Sequence, residues 1–328
     1  MRMRGGDISN RLGIAVAGLL VALAMAAQPA WAREAPLIAA AGDISCAPNN
    51  PRFNDGAGTF NSCRERDTAS QLDQEAFSAV LPLGDLVNGD DDSLNGFLAG
   101  YDPTWGRFRA ISHPVIGNHE YDDGAGAAGY WDYWNGVGVT NGPAGARTEG
   151  WYAYDLGPWH LIALNSNCDL VGCSASSKQG RWLRDQLARN HDRCVLAYMH
   201  HPRFSSGLYA SPNKTTGLWR ALYRGGADVV LNGHDHLYER FGPQRPSGKL
   251  DRRRGITQFT VGTGGYFLFP ISGLAPHSRS LSDSSFGILT MRLRRGGLGW
   301  EFLDSPTSTP TDSGTLRCHN DLDLPRNR

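Results

Sequence analysis

Lysine is nearly missing from this chain. Only Lys178, Lys214 and Lys249 occur, against a large excess of arginine. Basic and acidic side chains balance at 32 each, for a formal net charge of +0, so no global field draws the protein onto nucleic acid or anionic lipid. The arginine excess reads as composition rather than as a phosphate-binding device. Beyond Ala27 no apolar run is long enough to cross a bilayer. The cysteine spacing matches no zinc-ribbon pattern, which argues against a structural thiolate site.

What is present begins with a leader. Arg2, Arg4 and Arg11 flank a polar start, an apolar run follows from Leu12 to Ala27, and Ala30-Trp31-Ala32 supplies small residues around a cleavage point. The pattern predicts a signal peptide over residues 1–32 and export to the periplasm or the exterior. An uncleaved single-span anchor would carry the same basic flank, so that alternative stays open. The remainder, residues 33–328, is read as a single domain, long enough to bury about three quarters of its unfolded surface.

Six cysteines in an exported chain point to disulfides. Cys168 and Cys173 lie close enough to staple one loop. Cys46 with Cys63 would close a loop of 17 residues, worth on the order of 3 kcal/mol in the chain-entropy model. That leaves Cys194 for Cys318, one pairing among the many that six cysteines admit.

Apolar runs end abruptly in polar residues along the chain: PLIAAAGD at Asp43, SAVLPLGD at Asp85, HPVIGNH at Asn118 and His119, CVLAYMH at His200, and ADVVLNGHDH at His234 and His236. Short and bounded by glycine or proline, they read as buried strands of an α/β sheet. Helical patterns alternate with them. Thr68 followed by Gln71 has the form of a capping box opening a helix towards Glu75, and Leu183 with Leu187, and Leu218 with Leu222, mark two amphipathic helices. Trp151 to Tyr154 and Trp159 to Asn165 read as a hairpin around Gly157-Pro158. TQFTVGTGG, FGILTMRL and LGWEFL read as later strands. Ser45 to Ser62 and Asp122 to Gly150 look like loops, the second a surface insertion near a functional rim.

In an open α/β sheet ligands collect beyond the carboxyl ends of the strands. Those ends supply Asp43, Asp85, Asn118, His200, His234 and His236. Carboxylates with neutral imidazoles suit zinc, manganese or iron, and so many donors exceed the needs of one tetrahedral ion. Two metal ions sharing a carboxylate follow naturally, a site that activates water and clamps a phosphate oxygen. Singly, each piece has an ordinary reading, since a Gly-Asp pair after a strand is usually a turn. Two imidazoles in GHDH after a buried strand are harder to dismiss, because burying them without partners is costly.

The order GD, GD, GNHE, a histidine before proline, and GHDH resembles the calcineurin-like metallophosphoesterases, and LNGHDHLYER after GNHEY resembles their purple acid phosphatase branch. The resemblance covers roughly Ile38 to Arg240. It implies a two-sheet β-sandwich flanked by helices, and two divalent or trivalent ions (iron, zinc or manganese). Asp43 and His236 would hold the first ion, Asp85 would bridge, and Asn118, His200 and His234 would hold the second. His119 would serve the substrate phosphate or leaving oxygen rather than a metal. His201, Arg203, Tyr238 and Arg240 are candidate substrate contacts. The implied activity is hydrolysis of phosphate esters, monoesters first. A phosphodiesterase, or a catalytically weak binding protein on the same scaffold, is the alternative.

Two departures from the family pattern bear on the first ion. Asp43-Ile44-Ser45 stands where many members have Asp-x-His, and Asn88 stands where the purple branch has tyrosine. Ser45 and Asn88 are weak donors, so that site is expected to bind less tightly and to lack the purple tyrosinate chromophore.

Overall fold

Side chains alternate along the apolar runs, and the two faces of a run meet different cores. Within residues 229–232, Val229 and Leu231 join one cluster with Leu196, Tyr198 and Ile38, whereas Val230 joins another with Val195, Ala197 and Met199. A strand buried on both faces requires a layer on each side. The computed structural model shows those layers for residues 35–319, apart from 90, 123, 125, 191–192 and 210–212. The predicted signal peptide lies outside the described residues.

In chain order the principal strands are β1 Leu37–Ala41, β2 Ala79–Pro82, β3 Tyr152–Leu156, β4 Trp159–Ala163, β5 Cys194–Tyr198 and β6 Val229–Asn232. They continue with β7 Tyr238–Phe241, β8 Thr257–Val261, β9 Ser278–Ser282, β10 Gly287–Arg294, β11 Gly297–Asp304 and β12 Pro310–Arg317. Four helices matter here: α1 Glu65–Leu72, α2 Ala128–Asn135, α3 Lys178–Arg189 and α4 Thr216–Arg224. A 5-stranded sheet has the order β12-β11-β10-β1-β2, and a 7-stranded sheet the order β9-β7-β8-β6-β5-β4-β3. The first core fills the space between the sheets. Leu183 and Leu187 of α3, with Leu218 and Leu222 of α4, cover the outer face of the larger sheet. This is the α/β two-sheet sandwich the resemblance implies.

Strand direction positions the site. β1 and β2 run parallel in one sheet, and β4, β5, β6 and β8 run parallel in the other. Their carboxyl ends deliver the polar residues that follow to a common region. The hairpin β3–β4 forms with the expected antiparallel register, Leu156 opposite Trp159.

Three expectations need correction. HPVIGNH is extended but is no strand: His113 and Val115 donate to the carbonyls of Val80 and Pro82, both at 2.9 Å, and Pro114 between them has no N–H to continue a ladder. Thr68 does not cap a helix. It sits inside α1, where its hydroxyl is 2.5 Å from the Gly264 carbonyl and accepts from Trp105 Nε1 at 3.0 Å, so a tertiary partner claims it. The stretch from Asp122 to Gly150 contains α2, whose Tyr130, Trp131, Tyr133 and Trp134 are buried; its glycine-rich flanks hide an aromatic anchor.

All three cystines, Cys46–Cys63, Cys168–Cys173 and Cys194–Cys318, are present. Beside the first lies an oddity. Glu65, which opens α1, is 0% exposed, and neither carboxyl oxygen makes a hydrogen bond of good geometry. Burial pushes its pKa up to about 8, against a weaker pull from the Glu65 and Cys46 backbone.

Candidate metal centre

Three strand exits turn through the left-handed region at non-glycine residues: Asp43 at φ 56, Asp85 at φ 51 and His234 at φ 74. Aspartate and histidine tolerate this conformation better than most side chains, yet it costs energy and clusters at functional sites. The turns take these three residues out of the strand's alternation between sheet faces.

Asp85 lies at the centre. Its Oδ2 is 3.0 Å from His200 Nε2, its Oδ1 accepts the His119 backbone N–H at 2.9 Å, and Asp85, His200 and His234 each offer a ligand atom within 4.8 Å of the others. A second pair lies alongside: Asp43 Oδ1 is 3.1 Å from His236 Nε2, while Asp43 Oδ2 accepts the His234 N–H at 2.8 Å. Five of the six strand-end residues are thus brought together, Asp85, His200 and His234 as a triad and Asp43 with His236 as a pair; Asn118 follows Gly117 in the loop tied to Asp85 through Glu120.

Tautomers follow from neighbours. His200 Nδ1 faces the Leu83 carbonyl at 2.9 Å, so it carries a proton, and without a metal Nε2 must carry a second one to sit 3.0 Å from the Asp85 carboxylate. That nitrogen is also 3.3 Å from His234 Nδ1. A carboxylate oxygen and two ring nitrogens meeting at such distances require a positive charge between them. Burial works against a charged His200, but the Asp85 carboxylate outweighs it and raises the ring to about 9. Burial and then His200 drive His234 down to about 4. One proton can be held here, and the remaining donors are left over for a metal. Asn118 Oδ1, Asn88 Oδ1 and Asp43 Oδ1 are buried acceptors without a hydrogen-bond donor, the kind of atom a cation satisfies. The residues therefore fit metal ions, with Ser45 the poorest contributor, since its hydroxyl faces the Gly100 carbonyl at 3.5 Å.

His119 stands at the rim, its side chain 36% exposed and its Nε2 3.9 Å from Asp85 Oδ2. Asp122 Oδ2 takes Nδ1 at 2.7 Å, which leaves Nε2 facing the centre. Burial lowers its pKa, and Asp85 with Asp122 more than reverse that, so the ring stays protonated above the ordinary histidine range.

Several positioning residues escaped the sequence reading. Glu120 accepts the backbone N–H groups of Gly117 at 2.6 Å, Leu86 at 2.5 Å and Asp85 at 3.0 Å, tying the loop of Asp85 to the loop of Asn118. Between those loops there is no room for a side chain at Gly117, where a Cβ would lie 2.0 Å from Asp85 Oδ1. Ser166 accepts the His201 N–H at 2.9 Å and meets its Nδ1 at 2.8 Å; Asn167 Nδ2 donates to the Gly117 carbonyl at 2.9 Å. The polar run Asn165-Ser166-Asn167 after β4 repeats the strand-exit signal seen elsewhere and was the available clue. Asp235, between the two histidines of GHDH, serves a neighbouring loop by accepting the Tyr209 N–H at 3.0 Å.

The candidate substrate contacts divide. His201 stays close, its ring centroid 4.3 Å from that of His234. Arg203 donates to the Pro246 carbonyl at 3.0 Å. Tyr238 and Arg240 belong to the scaffold instead: Asp312 of β12 accepts from Tyr238 Oη at 2.6 Å and from Arg240 Nε and Nη2 at 2.6 and 2.9 Å. A half-buried carboxylate from the other sheet already holds both side chains. Replacing Asp312 by alanine strands that guanidinium, so it should lower stability by about 3 kcal/mol while leaving kcat unchanged. Urea melts and steady-state kinetics check this; a lost kcat in a fully folded variant would return Arg240 to the active site.

Residues 37–238 match the family model for the calcineurin-like phosphoesterases. The chain is 26% identical to an uncharacterised protein of Mycobacterium tuberculosis over 72% of its own length and 52% of that protein. It is 28% identical to purple acid phosphatase 15 of Arabidopsis thaliana over 56% of this chain and 38% of the relative. The chain spans about half the length, or less, of these curated relatives. Among solved structures, a purple acid phosphatase from yellow lupin superposes with a TM-score of 0.66 at 19% identity, over 88% of this chain and 55% of that one, and so shares the fold. With the family model spanning more than half of the chain and every strand exit of the centre, the chain belongs to the calcineurin-like phosphoesterases.

Proposed function

We propose that this protein is an exported phosphomonoesterase working with two metal ions, and that residues 33–328 form its single catalytic domain. The observation that carries the reading is the meeting of Asp85 Oδ2, His200 Nε2 and His234 Nδ1 around one point, with the Asp43–His236 pair alongside. Asp85, Asp43 and His236 would hold one ion, and Asp85, Asn118, His200 and His234 the other. Iron, zinc and manganese all suit such donors. When bound, the ions supply an activated water and neutralise charge on the phosphoryl oxygens. His119 holds its proton on Nε2 for the leaving oxygen, with Asp122 fixing Nδ1, and His201 lines the substrate side. The similarity to a protein named as an acid phosphatase supports monoesters over diesters. The missing histidine and tyrosine at Ser45 and Asn88 favour one rival, a binding protein on the same scaffold.

The test is hydrolysis of nitrophenyl phosphate and bis-nitrophenyl phosphate by purified protein supplied with each metal. Turnover of the monoester in preference to the diester is expected; a folded, metal-loaded protein inert on both sinks the reading. Graded chelation should release two unequal classes of metal, the second site retaining its ion longer because it has the fuller donor set. Metal analysis showing simultaneous release, or one ion at saturation, would contradict the assignment.

A further inference from the structure

Two clefts lie along α4. One of about 440 Å³ is walled by Arg203, Arg220, Arg224 and Arg245. It shares Thr216, Arg220 and Arg224 with a cleft of about 870 Å³ between α3 and α4 that extends to Lys214. Among the described residues no aspartate or glutamate lines either one. Lys214 Nζ is 3.0 Å from His201 Nε2, and the His201 ring packs on His234, so this line of positive charge begins one side chain away from the metal ligands.

Charge in the clefts is only partly compensated. Asp251 pairs with Arg245 at 2.9 Å, and Asp169 stands 3.9 Å from Lys214. Arg220 and Arg224 have no carboxylate partner among the described residues. Thr216, Arg220 and Arg224 recur every four residues and share one face of α4, whose other face, with Leu218 and Leu222, is buried. Arg203 and Arg220 line one cleft, and burial and then the charge of Arg220 hold Arg203 below the ordinary arginine range. Guanidinium is the side chain best shaped for two-point bonding to phosphate or carboxylate.

We propose that the arginine cleft seats a second anionic group of the substrate, so that the enzyme favours phosphate esters carrying a further phosphate or carboxylate over singly charged ones. The proposal rests on the phosphoesterase reading for its reaction, but the anion seat is a separate structural claim.

The experiment compares the wild type with the double variant Arg220→Gln, Arg224→Gln, both metal-loaded. Kinetics are measured on nitrophenyl phosphate and on a sugar bisphosphate, and tripolyphosphate binding is measured by calorimetry, which needs no turnover. Both side chains are exposed, and circular dichroism checks the fold. The expected result is a rise of about tenfold or more in KM for the bisphosphate and in Kd for tripolyphosphate, from losing charged hydrogen bonds, with KM for nitrophenyl phosphate changed less than about twofold. Equal shifts on both substrates, or no shift on either, overturn the proposal. A protein inert on every ester whose tripolyphosphate affinity still falls in the variant would support the anion seat and reject the phosphoesterase reading.

Discussion

Replacing His119 by alanine should leave metal content intact and lower kcat by about 10² to 10⁴, the usual worth of a positioned proton donor. The imidazole reaches no metal-ligand triad: it is held by Asp122 on one nitrogen and stands 3.9 Å from Asp85 with the other. The loss should fall on kcat more than on KM, because the bond to the leaving oxygen strengthens only as that oxygen gains charge. His234→Ala should instead lose metal, since it removes one of three converging donors. Bound metal and kcat are to be measured for both variants with a substrate whose leaving group is poor, as a good one needs no proton. Should His119→Ala lose metal as His234→Ala does, it is a ligand and the site map is wrong. Full activity would move the proton donor elsewhere, with His201 next in line.

The second large effect concerns stability. Glu65→Gln should stabilise the fold at neutral and alkaline pH and do nothing near pH 4. The unfolded chain gives up the Glu65 proton near 4.5, whereas burial keeps it in the folded chain up to about 8. Between those values the folded state binds more protons than the unfolded state, so stability falls as pH rises and levels off once the folded group has ionised. At that plateau the penalty reaches at most roughly 4 to 5 kcal/mol. Glutamine matches the neutral acid in shape and never ionises. Melting temperatures from pH 4 to 9 should therefore diverge with rising pH, the variant staying above the wild type. Parallel curves would show that Glu65 is ionised or solvated in the native protein.

Much of the scaffold was legible because it rests on period and punctuation. The exits at Asp43, Asp85, His200 and His234 are sharp changes from apolar to polar, and Leu183, Leu187, Leu218 and Leu222 keep helical spacing. What failed depended on partners remote in sequence. Thr68 reads as a cap until Gly264 and Trp105 are brought to it. Tyr238 and Arg240 read as substrate contacts until β12 supplies Asp312. That strand is polar and mostly exposed, so no hydrophobic pattern announced it. Glu120 was in view within GNHE, but its three N–H partners come from loops whose closeness only the fold reveals.

The left-handed exits at Asp43, Asp85 and His234 also decide what could be transplanted. Copying the donor residues onto the strand ends of another α/β protein would carry over the chemistry without the aim, since an ordinary extended exit points successive side chains to opposite faces of the sheet. Each such turn is worth on the order of 1 to 3 kcal/mol of strain, which a recipient must absorb before any ion arrives. A graft therefore has to bring the tight glycine contacts, Gly117 against Asp85 foremost, and start from a host with stability to spare. In this protein the inheritance unit of the centre is the bent backbone, and the donors are what it permits.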